Sequence, residues 1–107
     1  MSAEKIRELN DAFRTFFSGR NAFVTAGVQA LGPDAMAQAI AGIREYKDFT
    51  IDNDPHGEHD FGSLKIGEHQ LFWKIDYYDR SMTYGSDDPA DASKTTRVLT
   101  IMLAEEY

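Results

Sequence analysis

Phe61-Gly-Ser-Leu-Lys-Ile-Gly-Glu-His-Gln-Leu-Phe-Trp-Lys-Ile-Asp-Tyr-Tyr78 is the stretch that decides the fold. Two runs of strand-forming residues flank Gly67-Glu68. Glycine stands first in that two-residue connection, as a type II′ hairpin turn requires. A turn of this length sets the register: Ile66 opposite His69, Leu64 opposite Leu71, Gly62 opposite Trp73, Asp60 opposite Ile75. Side chains alternate along a strand, so these pairs share one face. That face carries Leu64, Ile66, Leu71, Trp73 and Ile75 and is expected to be the core face, with Trp73 covering the bare backbone of Gly62. The other face carries Ser63, Lys65, Gln70, Lys74 and Asp76, with Phe61 and Phe72 as apolar exceptions.

Downstream of the hairpin, 79–96 reads as a polar loop with Gly85, Asp87, Asp88 and Pro89. In the tail, Leu99, Ile101 and Leu103 alternate with Thr100 and Met102, which suits a strand. Val98, Leu99, Met102 and Leu103 would also make a helical stripe. β-Branching and short length favour the strand. Upstream, Ser2 is an expected N-cap with Glu4 in the first turn, and Ile6, Leu9, Phe13, Phe16 and Phe17 recur at helical spacing until Gly19. Phe23-Val24-Thr25 reads as a short strand or an extended link, broken by Gly27. Pro33 opens a second helix at the position where its missing N–H costs nothing. Met36, Ile40 and Ile43 form that helix's stripe as far as Tyr46. The expected fold is therefore α+β: two N-terminal helices packed on one face of a small antiparallel sheet, in the order ααβββ.

The chain has 107 residues, within the usual range for one domain, and no repeat or linker divides it, so residues 1–107 are read as a single α+β domain. Eighteen acidic against eleven basic residues give a formal charge of −7. The basic residues are scattered singly, so direct binding to nucleic acid is disfavoured. The absence of cysteine removes disulfides and thiolate catalysis and suits a reducing cytoplasm. No leader with an apolar run is visible, and 98–104, the longest apolar stretch, is too short to span a bilayer. The expectation is a cytoplasmic protein with no membrane contact.

Three runs carry a resemblance: Asp48-Phe-Thr-Ile-Asp-Asn-Asp-Pro-His-Gly-Glu-His-Asp-Phe-Gly62, Phe72-Trp-Lys-Ile-Asp-Tyr-Tyr-Asp79 and Thr96-Arg-Val-Leu-Thr-Ile-Met-Leu-Ala-Glu-Glu-Tyr107. They resemble a family of small bacterial proteins known only as a domain of unknown function. The resemblance implies a setting on plasmids and other mobile elements. It implies no activity and no catalytic residues.

Asp52, Asp54, His56, Glu58, His59 and Asp60 fall within nine positions. His56 and His59, spaced His-x-x-His among carboxylates, are the residues that would hold a metal, since imidazole and carboxylate suit zinc, manganese or iron. Extending the hairpin one step puts His59 opposite Asp76, where a carboxylate could orient a general base; these two are the catalytic candidates. Against that, Asp, Asn, Pro and Gly form loops and cap backbone N–H groups. No nucleophile elbow, Walker loop or dinucleotide fingerprint is present. No metal and no cofactor is expected. The function expected is a non-enzymatic acidic binding or inhibitor protein acting on a protein partner with a basic surface, of the anti-restriction or anti-CRISPR kind. Its contact residues would be Asp54, His56, Glu58, His59, Asp60, Asp87 and Asp88. The alternative is a small metal-dependent hydrolase using the 52–60 cluster.

Overall fold

The computed structural model describes residues 2–107. Three helices, α1 (Ala3–Phe16), α2 (Ala26–Gln29) and α3 (Pro33–Arg44), accompany four strands: β1 (Ala22–Val24), β2 (Phe61–Ile66), β3 (His69–Tyr78) and β4 (Thr96–Leu103). The sheet order is β1-β4-β3-β2. The α+β class stands, but the arrangement is not ααβββ and the sheet is mixed. β1 lies parallel to β4, with Ala22 beside Leu99 and Val24 beside Ile101. A three-residue strand is too short to show alternation, which is why the sequence left it open. α2 is the other addition. The Thr25 hydroxyl accepts from the Val28 backbone N–H at 3.4 Å, so the residue expected to close an extended segment also caps a helix.

The hairpin holds the expected register at every pair, from Ile66 with His69 to Gly62 with Trp73, and the Ile75 N–H donates to the Asp60 carbonyl at 2.8 Å. Gly67 has φ +61° while Glu68 keeps a negative φ, which fits the type II′ turn. β4 is a strand, central in the sheet and buried on both faces: Leu99 and Ile101 on one side, Val98 and Met102 on the other. The strand stops at Leu103. Residues 104–106 form a 3-10 turn whose Glu106 carboxylate accepts from the Leu103 N–H and the Thr25 hydroxyl.

The core joins Leu71, Trp73, Ile75, Leu99 and Ile101 of the sheet to Phe17, Val28, Ala39 and Ile43 of the helical layer. Trp73 is fully buried and lies against Gly62, where a Cβ would stand 2.6 Å from the indole Cε2. On the opposite face Phe61, Phe72 and Tyr107 pack ring on ring, with centroids 5.1–5.8 Å apart.

α1 departs from its expected stripe. Phe16 is 81% exposed, while Asn10 and Arg14 are buried. Arg14 donates to the carbonyls of Ile43 (2.8 Å) and Tyr46 (3.0 Å), which supplies partners to carbonyls at the end of α3. Arg44 of α3 returns the contact, donating to the Phe17 carbonyl just past α1. Each helix thus caps the other, and α1 ends at Phe16 rather than running to Gly19.

Candidate functional site

The polar loop between α3 and β2 lies along α1, and the residues that attach it can be followed one at a time. Thr50 and Asn53 exchange hydrogen bonds (2.9 and 3.2 Å), and the Asp54 N–H donates to the Thr50 carbonyl. This folds the first half of the loop on itself in the way short polar side chains favour. Gly57 follows at φ +67°, and His59 at φ +57°. A non-glycine residue in the left-handed region is uncommon, and here the Asp54 carboxylate holds the His59 N–H at 3.1 Å.

That one backbone angle corrects the expected pairing of His59 with Asp76. The left-handed turn breaks the strand before it can extend past Asp60, and His59 points to α1. Its Nδ1 is 2.9 Å from the Asp11 carboxylate and its Nε2 3.6 Å from that of Asp54. Its ring stacks flat on Phe49, with centroids 3.7 Å apart and planes 3° apart. Asp76 lies elsewhere, beside Val98 in the ladder, with its carboxylate 2.9 Å from Lys74 Nζ. Asp11 in turn receives Arg14 at 2.9 Å, and the Arg14 guanidinium sits over the Phe49 and Trp73 rings. The chain Asp54–His59–Asp11–Arg14 therefore ends in the core.

A second network leaves the same loop two residues away. The fully buried Asn10 donates its side-chain amide to the Glu58 carbonyl (2.9 Å) and to the Tyr77 hydroxyl (2.8 Å), and accepts from Arg97 Nε (2.6 Å). The Tyr77 hydroxyl donates toward the Glu58 carboxylate at 3.1 Å, with Asp60 at 3.4 Å. Burial pushes the Tyr77 phenol well above its usual range, with the two carboxylates adding to the effect, so it serves as a donor and not as a base. Burial likewise raises the Asp60 carboxyl, and the Glu58 and Asp54 charges push it in the same direction.

The other expected contact residues are spread out. His56 and Asp52 are exposed, and so is Asp87. Asp88 is partly buried, and its carboxylate accepts from the Ala90 N–H at 3.3 Å within the 79–95 loop. Among the described residues no group of three or more His, Asp or Glu side chains stands close enough together to hold a metal ion. Sequence reasoning missed Asn10, Asp11, Arg14, Tyr77 and Arg97. Two of them were signalled: Tyr77 and Arg97 share the strand parity of Ile75 and Leu99, which places them on the core face.

The model of a family described as a protein of unknown function (DUF3768) matches residues 24–106. The chain belongs to this family. The match takes in the whole polar loop, Tyr77 and Arg97, whereas α1, which supplies Asn10, Asp11 and Arg14, lies before it. No curated protein and no solved structure matches the chain. No helix among the described residues is long and apolar enough to cross a membrane.

The raised Asp60 carboxyl gives a pH test of the loop's seat. A carboxyl whose folded pKa lies above its ordinary value of 3.8 favours the fold while protonated. That contribution is complete below pH 3.8 and is lost as pH rises through the raised value. Asp60→Asn is therefore expected to stabilise the protein at pH 7.5 by about 0.5 kcal/mol, a small gain because the group is partly solvated. The gain should vanish near pH 3.5. Urea unfolding at the two pH values checks this, and a variant less stable at pH 7.5 would mean that the ionised carboxylate supports the loop.

Proposed function

We propose that this member of the family is a non-enzymatic binding protein that covers a basic surface on a protein partner. One observation carries the reading. The side chains that could have done chemistry, Asp54, Glu58, His59 and Asp60, are engaged in internal hydrogen bonds and ion pairs that seat their own loop on α1 and β3. Carboxylates at Glu45, Asp48, Asp52 and Asp87 are exposed. With a net charge of −7, such groups speed association with a cationic partner more than they tighten the complex. In its narrower form the proposal is an anti-defence inhibitor, of anti-restriction or anti-CRISPR type, acting in a bacterial cytoplasm. That form rests on the mobile-element setting implied by the family resemblance.

The test begins with capture of the partner by the intact chain, followed by stopped-flow association with the purified partner. The association rate is expected to fall about tenfold between 50 and 300 mM salt, and further in Asp52→Lys/Asp87→Lys. Reversing Asp88 is a poorer choice, because its carboxylate shapes its own loop. An association rate indifferent to both salt and charge reversal would remove the electrostatic argument. Zinc and manganese, added during thermal melts, are expected to leave the native protein and His59→Ala unchanged. A rise in melting temperature that depends on His59 would instead favour the metal-dependent hydrolase.

A further inference from the structure

Residues of α1, Asn21 and the 80–97 segment line an open cleft of about 330 Å³. Leu9 and Phe13 supply apolar wall, and Asn21, Arg80, Thr96 and Arg97 supply polar groups. Arg97 is the unusual member. It is only 7% exposed, yet no carboxylate lies within ion-pair distance of it among the described residues. A buried guanidinium normally has an anionic partner, because an unpaired charge is costly to bury. Here neutral acceptors take two of its nitrogens: Nε donates to Asn10, and Nη2 to the Pro89 carbonyl. Its face lies over the Tyr77 ring at 5.2 Å. Nη1 makes no hydrogen bond with the described residues and is not sealed from solvent, unlike Arg14 Nε and Trp73 Nε1.

Around it, the side chains of Asn21, Arg80 and Thr96 also make no hydrogen bonds with described residues. Two guanidinium groups and three neutral polar side chains, Thr95 being the third, thus line one cleft in a protein whose overall charge is −7. We propose that this cleft binds a small organic anion. Its carboxylate or phosphoryl group is received by Arg97 Nη1 and the Arg80 guanidinium, and its apolar body lies against Leu9 and Phe13. Arginine forks suit both kinds of oxyanion, and the volume lies at the lower end of ordinary small-molecule sites. Burial lowers the Arg97 pKa from its very high ordinary value, with Tyr77 and the Glu58 charge opposing the shift, and an anion in the cleft would favour the charged guanidinium further. The proposal does not depend on a protein partner.

Two probes distinguish the chemistries: inorganic phosphate and benzoate, each titrated into the ¹⁵N-labelled full chain at constant ionic strength set with sodium chloride. The expected result is saturable shifts at the amides of Arg80, Thr96 and Arg97, and a dissociation constant weakened about tenfold or more in Arg80→Gln. Arg80 is exposed, so this variant should fold normally. Arg97→Lys, which keeps the charge but loses the fork, should also weaken binding, but it gives up the bonds to Asn10 and the Pro89 carbonyl as well, so Arg80→Gln is the deciding variant. Saturation by phosphate alone assigns the site to phosphoryl ligands, by benzoate alone to carboxylates, and by both to oxyanions in general. Failure of both probes to saturate, or affinity unchanged in Arg80→Gln, would overturn the proposal.

Discussion

Trp73→Ala is expected to destabilise the fold by about 3–5 kcal/mol, measured by denaturant unfolding. The indole is fully buried at the meeting point of β3, Gly62 and the rings of Tyr46 and Phe49, whose centroids lie 5.5 and 6.2 Å away. The Arg14 guanidinium rests over it at 5.6 Å. Truncation would leave a cavity and also remove a surface against which a buried cation is packed. No hydrogen bond is lost, because the indole N–H has no partner in the native state. The cost is therefore one of packing and of the lost cation–π contact, and a loss below 1 kcal/mol would mean that neighbouring side chains collapse into the gap.

Asn10→Ala should cost nearly as much, about 2–4 kcal/mol, for a different reason. Asn10 is fully buried, and one side chain satisfies the Glu58 carbonyl, the Tyr77 hydroxyl and Arg97 Nε. Alanine would leave these groups short of a partner, and stranding a buried polar group costs about 1–3 kcal/mol, more where a charge is involved. Glu58 sits in the polar loop, so the damage should also be local. Amide exchange is expected to speed up at Gly57–Asp60 by more than it does in β3. A variant within 0.5 kcal/mol of the native protein, with exchange unchanged in the loop, would show that water replaces the amide at no cost.

These two residues also mark what was legible in the sequence. The environment of Trp73 followed from the two-residue turn and strict alternation, because once Gly67-Glu68 is placed every facing pair is determined. The role of Asn10 was not legible. It stands four residues after Ile6 and three before Phe13, on the apolar stripe of the helix, but spacing does not name its partners. Those partners come from loop, β3 and β4, far along the chain, and periodicity carries no such information. Phe16 was misplaced by the converse error. It fits the helical spacing, but α1 ends there and the side chain turns to solvent.

The His59 error is of another type. Strand parity would have put it across from Asp76 had the backbone stayed extended. A single left-handed residue, held by Asp54, reversed its direction and gave it Asp11 and Phe49 as neighbours. The acids and histidines do cluster in sequence, and four of them, Asp54, Glu58, His59 and Asp60, bond within the protein and tie the loop to α1 and β3. The residues with unspent polarity, Arg97 and Arg80, are far from that cluster in sequence, and only the fold brings them together with Asn21 and Phe13.

The strand order β1-β4-β3-β2 has a consequence for how the protein is made. β1 appears early in synthesis, but its ladder partner is β4, so Ala22 must wait for Leu99. Until residues 96–103 have left the ribosome, β3 and β1 each present an open edge, and the face that will cover Leu99 and Ile101 has nothing to close on. The α1–α3 pair and the β2–β3 hairpin are local and can form early, whereas the sheet depends on a late, long-range closure of the kind that slows folding. A nascent chain halted before β4 would therefore expose apolar surface and free strand edges together, which are the conditions under which chaperones bind and chains aggregate.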